Sequence, residues 1–334
     1  LDWSSDVCSS DLKQAKLLDR QQGAGVQRDQ TECCCKCGQR ARPPTMHQGL
    51  PRRILLAVGY HGFTIVVDDV NCAGQTSVIE PEPTRDHTER MLPLFGADID
   101  VSQTKEGERQ ITITGHPELK ACALSIPGDP SSAAFLVVAA LLTQNSHIIV
   151  KDVLINPLRT GLYDTLLEMG AVIDFQNKRE TCGEIVADLH AASSTLTGIN
   201  VPADRAPSMI DEYPILAVAA AVANGHTRLE GLSELRHKES DRLTAIADGL
   251  RACGIKVDET PNSLVIEGAG SNSVQGGAEI RSHSDHRIAM SFLTLGLAGK
   301  NPVSVDGAQM IATSFPQYTD IMHKLGADIA RGAE

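Results

Sequence analysis

DPSSAAFLVVAALL (residues 129–142), DEYPILAVAAAVA (211–223) and DHRIAMSFLTLGLAG (285–299) decide how this chain folds. Each opens on an aspartate, runs into an apolar stretch, and is followed, about forty residues after the aspartate, by a glycine: Gly170, Gly254 and Gly326. Between these marks the pattern is the same each time. An apolar helix is followed by a short β-rich run (HIIVKDV, HTRLEGL, NPVSVDG), and an amphipathic helix then leads to the glycine and a further strand. Leu243, Ile246 and Leu250 recur at helical spacing in the second of the amphipathic helices. The expectation is a repeated α/β unit.

Working outward, TSVIEPEPTRDHTERMLPLFGADI, which reaches Gly96, matches the second half of a fourth unit. Upstream of Asn71 the repeat breaks: LLAVGYHGFTIVVDDV lacks the Ala-rich helix of the other units. Residues 1–70 are therefore expected to be a non-native or disordered segment. Within it, DWSSDVCSSDL (2–12) resembles a translated sequencing adapter. CCCKC (33–37) invites a zinc reading, but structural sites pair two Cys clusters and no second pair follows. An out-of-frame segment and a disordered basic arm are the alternatives. The remaining cysteines, Cys72, Cys122, Cys182 and Cys253, stand singly in apolar contexts and are expected to be reduced core residues.

Composition bounds the function. The 334 residues carry a net charge of -12, with 42% hydrophobic and 22% charged residues. A strongly acidic chain is a poor nucleic-acid binder, because such affinity comes from neutralising phosphates with Lys and Arg. Apolar runs fall short of the ~20 residues that span a bilayer. The cytosol is the default expectation, with neither nucleic acid nor membrane as partner. A small anionic substrate remains open, since a few local cations can outweigh a diffuse negative surface.

Three clusters can carry chemistry. RHKESDR (236–242) places Lys238 and Arg242 four apart, on one face if a helix begins there, with Glu239 between them. Two cations beside a carboxylate suit an anionic substrate that needs a proton carrier. Asp285-His286-Arg287 precedes an apolar helix, as Asp211 does, and Pro214 sits in the first turn after Asp211. Asp129, Asp211 and Asp285 all fall at expected N-caps, where a carboxylate accepts backbone N–H groups. There the helix end would keep Asp211 ionised and available as a base, and would suit a phosphate. Capping and a solvated charged helix start explain the same residues without any catalysis.

PGDPSSAAF (127–135), RHKESDRL (236–243), SDHRIAMS (284–291), TRDHTERML (84–92) and IATSFP (311–316) together resemble the EPSP synthase family, from about Asn71 to Ala330. The resemblance implies an enolpyruvyl transferase fold, an inside-out α/β barrel of repeated βαβαββ units, with one domain nearly complete and one partial. Residues 71–125 would be the last unit of the shikimate-phosphate-side domain, and 126–334 the second domain of three units. It implies transfer of the enolpyruvyl group of phosphoenolpyruvate to the 5-hydroxyl of shikimate 3-phosphate, by a monomer that needs no metal or organic cofactor. Asp211 matches the residue that takes the hydroxyl proton. Lys238 matches a substrate contact, and Glu239 is a candidate proton donor to the methylene carbon. Arg242 and Arg287 match the arginines that hold phosphoenolpyruvate. Arg85, as far ahead of Gly96 as Arg159 is ahead of Gly170, is expected to start a second helix and reach the shikimate phosphate.

Two departures bear on activity. Thr313 stands where some members of the family carry a lysine, and the family's N-terminal Lys-Ser pair, Gly-rich loop and Ser-Gln pair are missing before Asn71. The polypeptide is therefore expected to be inactive alone. A UDP-N-acetylglucosamine enolpyruvyl transferase and a non-catalytic fragment are the rival readings; RHKESDRL and SDHRIAMS favour the shikimate branch.

Overall fold

The computed structural model describes residues 53–56, 73–80, 83–271 and 273–330. The adapter-like stretch, CCCKC and Cys72 lie outside the described residues, as does most of 1–70. The exception in that stretch is a short strand, β1 (Arg53–Leu56), which pairs parallel with β2 (Gln75–Glu80).

Strand order repeats from unit to unit. In the first, β2 is followed by helix α1 (His87–Met91), β3 (Ile99–Gln103) and β4 (Arg109–Thr114), giving the sheet β1-β2-β4-β3. The second contains α2 (Pro130–Leu142), β5 (His147–Leu154), α3 (Gly161–Glu168), β6 (Val172–Thr181) and β7 (Glu184–Ala192). Its sheet is β5-β7-β6, with Gly128 bridging parallel to Val153 where β1 stands in the first unit. The third contains β8 (Asn200–Val201), α4 (Tyr213–Val222), β9 (Asn224–Glu230), α5 (Arg242–Ala252), β10 (Lys256–Glu259) and β11 (Ser263–Ala269), again ordered β8-β9-β11-β10. The last described elements are β12 (Glu279–Ile280), α6 (His286–Gly296), β13 (Ser304–Val305) and α7 (Tyr318–Lys324), with β12 parallel to β13.

The apolar helices α2, α4 and α6 pack on one another at the centre, and the sheets lie outside them. The sequence dictates this arrangement, because a helix that is apolar all round must be enclosed. Every residue of α4 is buried. At about 1.5–3 kcal/mol per fully buried large aliphatic side chain, the helix triad is the main stabilising element of residues 126–330. Residues 71–125 carry a smaller core of their own, Val78, Leu92, Ala97, Ile111 and Ile113. Gly96, Gly170, Gly254 and Gly326, the glycines that mark the repeat, have φ of 94°, 92°, 84° and 98°. Each reverses the chain after a helical segment in the left-handed region that a Cβ disfavours.

Helix α5 touches α6 through Gly249, where an added Cβ would come within 2.2 Å of the Phe292 ring. Gly249→Ala is expected to cost about 1–3 kcal/mol by overpacking. The measurement is a lowered urea midpoint at constant slope; an unchanged midpoint would mean that Phe292 turns away freely.

The cysteine expectation needs correction. Cys253 is buried, and burial pushes its thiol up to about 11, but Cys122 is exposed and Cys182 only half-buried. Apolar neighbours in sequence do not place a loop residue inside. Among the described residues no helix is long and apolar enough to cross a membrane.

Candidate active site

Asp211 lies in the turn between a 3-10 segment (Ala203–Ser208) and α4. The N-cap of α4 is Glu212, so Asp211 is not the capping residue expected from the sequence, whereas Asp129 and Asp285 do cap α2 and α6. Asp211 instead faces four cations from three separate stretches of chain. Arg85 donates to its Oδ2 at 2.6 Å and Arg242 to its Oδ1 at 3.2 Å. Lys238 Nζ stands 3.6 Å from Oδ1, and Arg287 3.9 Å from Oδ2. Burial pushes the Asp211 carboxyl up, but the charges of Arg287, Arg85 and Lys238 and the Arg85 hydrogen bond outweigh it and hold it far below the usual carboxylate range. Asp211 is thus ionised, as expected, with neighbouring cations and not a helix end as the cause.

Lys238 and Arg242 do not share a helix face. A 3-10 turn (Ser233–His237) ends ahead of Lys238, whose backbone is extended, and α5 begins only at Arg242, capped by the Asp241 side chain. Ser240 and Asp241 prefer capping to helix interiors, so a loop lies between the two cations. They still converge on the same Asp211 oxygen, one from the loop and one from the helix start.

Arg242 is 1% exposed and Asp285 0%. Nε of Arg242 meets Asp285 Oδ2 at 2.7 Å, while Asp285 Oδ1 accepts from the backbone N–H of Arg287 at 2.9 Å and Ser240 donates to Oδ2 at 3.1 Å. Burial raises the Asp285 carboxyl, and the hydrogen bond and charge of Arg242 bring it back below its ordinary value. One carboxylate therefore orients Arg242 and anchors the helix that carries Arg287. Glu239 pairs with Arg242 at the rim, its side chain 53% exposed.

A second layer escaped sequence reasoning. Glu212 accepts from Ser131 Oγ and stands 3.7 Å from Arg287; Arg159 donates to Ser131 at 2.8 Å. Glu234 holds Lys238 at 2.8 Å and was detectable as its i−4 neighbour. No local signal pointed to Glu212. Arg85 stands in the loop two residues ahead of α1, and Arg159 closes a 3-10 turn just ahead of α3, so both precede their helices and neither starts one as the sequence suggested. Thr313 ends another 3-10 turn, its hydroxyl donating to the Met310 carbonyl.

Five of the expected site residues, Asp211, Lys238, Arg242, Arg287 and Arg85, thus converge, with Glu239 at the edge. A ring of cations can hold a phosphate and a carboxylate while the carboxylate base inside it draws a proton from a hydroxyl between them.

Residues 64–322 match the family described as EPSP synthase (3-phosphoshikimate 1-carboxyvinyltransferase). A 3-phosphoshikimate 1-carboxyvinyltransferase of Parvibaculum lavamentivorans is 56% identical over 270 residues, which is 81% of this chain and 60% of the relative. One of Chelativorans sp. is 48% identical over 98% of this chain and 73% of its own length. Against the first of these, the chain spans about three-fifths of the relative's length. Among solved structures, the EPSP synthase from Acinetobacter baumannii superposes with a TM-score of 0.76 at 42% identity, covering 83% of this chain and 63% of that one. The enolpyruvyl transferase NikO from Streptomyces tendae, 20% identical, shares the fold with a TM-score of 0.62.

Proposed function

Because the chain belongs to the EPSP synthase family, we propose that the Asp211 cluster serves the transfer of the enolpyruvyl group of phosphoenolpyruvate to the 5-hydroxyl of shikimate 3-phosphate, with release of phosphate. Its repeated units are those of the enolpyruvyl transferase fold. The observation that supports the activity is the meeting of Arg85, Lys238, Arg242 and Arg287 around Asp211.

In this reading Asp211 accepts the hydroxyl proton as the oxygen bonds to the enol carbon, and Glu239 or Lys238 delivers a proton to the methylene carbon. The same group then takes a proton back from the new methyl as the C–O bond to phosphate breaks, which restores the double bond and releases phosphate. Arg242 and Arg287 hold the carboxylate and phosphate of phosphoenolpyruvate, and their planar forks suit both groups. Arg85 takes the phosphate of the acceptor. Asp211 within its cation ring is a weak base in the unliganded chain. Two bound anions would share those cations and so raise its basicity at the moment it is needed. Positioned acid–base groups contribute roughly 10²–10⁴-fold, and the fixed cations must supply much of the remainder.

The test is the full chain mixed with phosphoenolpyruvate and shikimate 3-phosphate, with phosphate release followed. Each substrate should also raise the melting temperature, since a ligand at 100 times its Kd stabilises by about 2.7 kcal/mol. Release that needs both substrates supports the proposal. Stabilisation without release assigns the chain the binding residues alone. A response to UDP-N-acetylglucosamine in place of shikimate 3-phosphate would overturn the choice of acceptor.

A further inference from the structure

Arg85 belongs to the small N-terminal unit, yet it reaches an aspartate 126 residues away. A cluster just behind it explains how it is held there. Asp86, the next residue, is buried and accepts from Asn156 Nδ2 at 2.5 Å. The same Asn156 amide lies 3.2 Å from Glu184 Oε2, and Glu184 Oε1 meets His87 Nδ1 at 2.6 Å. Arg90, one turn along α1, stands 2.8 Å from Asp86 and donates to the Gly183 carbonyl at 3.2 Å. Gly183 lies in the turn between β6 and β7, and a Cβ there would come within 2.9 Å of the Arg90 carbonyl oxygen. Asn156 also accepts from Leu158 N–H at 2.9 Å, tying the cluster to the turn that carries Arg159.

Asp86, His87 and Glu184 bring three metal-ligand atoms within 4.8 Å of one another. Arg90 already neutralises the two carboxylates and Asn156 donates to both, so the chemistry is that of an ion-pair latch. The latch lies across the junction of two units whose hydrophobic cores are separate. Its polar contacts therefore bear on how the Arg85 segment sits against Asp211.

We infer that Asn156 and Glu184 are positioning residues for Arg85: by clamping Asp86 and His87 they fix where its guanidinium stands against Asp211. The inference rests on the proposed function only for the ligand that Arg85 then serves. Gripping the neighbouring residue restricts Arg85 directly, and the gain is pre-organisation of an anion contact.

The test uses the full chain with ¹⁵N-labelled arginine, the Arg85 Nε signal being assigned by its loss in Arg85→Lys. Glu184→Gln keeps the shape and removes the charge. It should move the Arg85 signal towards that of a solvent-exposed arginine and weaken shikimate 3-phosphate binding about fivefold by calorimetry, an effect that disappears in an Arg85→Gln background. Gly183→Ala, whose Cβ would press on the Arg90 carbonyl from the same β6–β7 turn, should do the same if Glu184→Gln does not fold. An unmoved Arg85 signal, or a binding loss that persists without Arg85, overturns the inference and leaves the proposed function standing. A signal that moves in a chain that does not bind shikimate 3-phosphate supports the latch and removes the proposed acceptor.

Discussion

Arg242→Met is expected to destabilise the fold by about 3–5 kcal/mol at pH 7, because it strands a fully buried carboxylate. Arg242 is the buried cation that Asp285 faces, and methionine fills much of the space without the charge. The loss should depend on pH in a diagnostic way. In the parent, the carboxyls of Asp211 and Asp285 are depressed below their unfolded values near 3.8. Their contribution is complete above that value and is lost as the pH falls through the folded-state pKa. In Arg242→Met the sign reverses for Asp285: burial without its partner raises the carboxyl, so protonation becomes favourable in the folded state. The urea midpoint of the variant should therefore recover partly towards the parent's between pH 7 and pH 5, each compared at the same pH because burial depresses the His286 imidazole and acidification costs the parent stability. A loss under about 1 kcal/mol, or no recovery on acidification, would mean that Asp285 finds another partner.

Whatever turnover the chain shows in the proposed transfer should fall by roughly 10²–10⁴-fold in Asp211→Asn, the usual contribution of a positioned general base. The same substitution should tighten binding of inorganic phosphate. Asp211 occupies the cations that an anion would use, and asparagine keeps the shape while giving up the charge. Loss of turnover with a gain in anion affinity separates this from misfolding, which would lower both. Calorimetric titration with phosphate checks the second half; weaker binding would sink the view that Asp211 competes with ligand.

How much of this was legible beforehand differs by level. The four glycines were found by spacing, and each adopts the left-handed conformation that explains why glycine stands there. The apolar helices were read from composition, since no amphipathic alternative exists for a stretch such as YPILAVAAAV. The loop at Lys238 is not legible in the sequence, because a four-residue spacing shares a face only where a helix has begun, and Ser240 and Asp241 delay that start to Arg242. Cys122 and Cys182 were placed inside on the strength of neighbours that do not accompany them into a core.

The site divides in the same way. Its residue types stood out as motifs, but capping and a solvated helix start fitted them as well, and the chemistry came with the family resemblance that the motifs carry. The pairings did not: Arg85 with Asp211, Arg242 with Asp285, and Asn156 with Asp86 each join residues more than thirty positions apart. Periodicity, capping and backbone freedom act between neighbours along the chain, so the repeated α/β unit and its turns were determined by the sequence alone. Coulomb energy and desolvation act through space. Which carboxylate is held ionised, and by which cations, was decided only when four distant segments folded around one point.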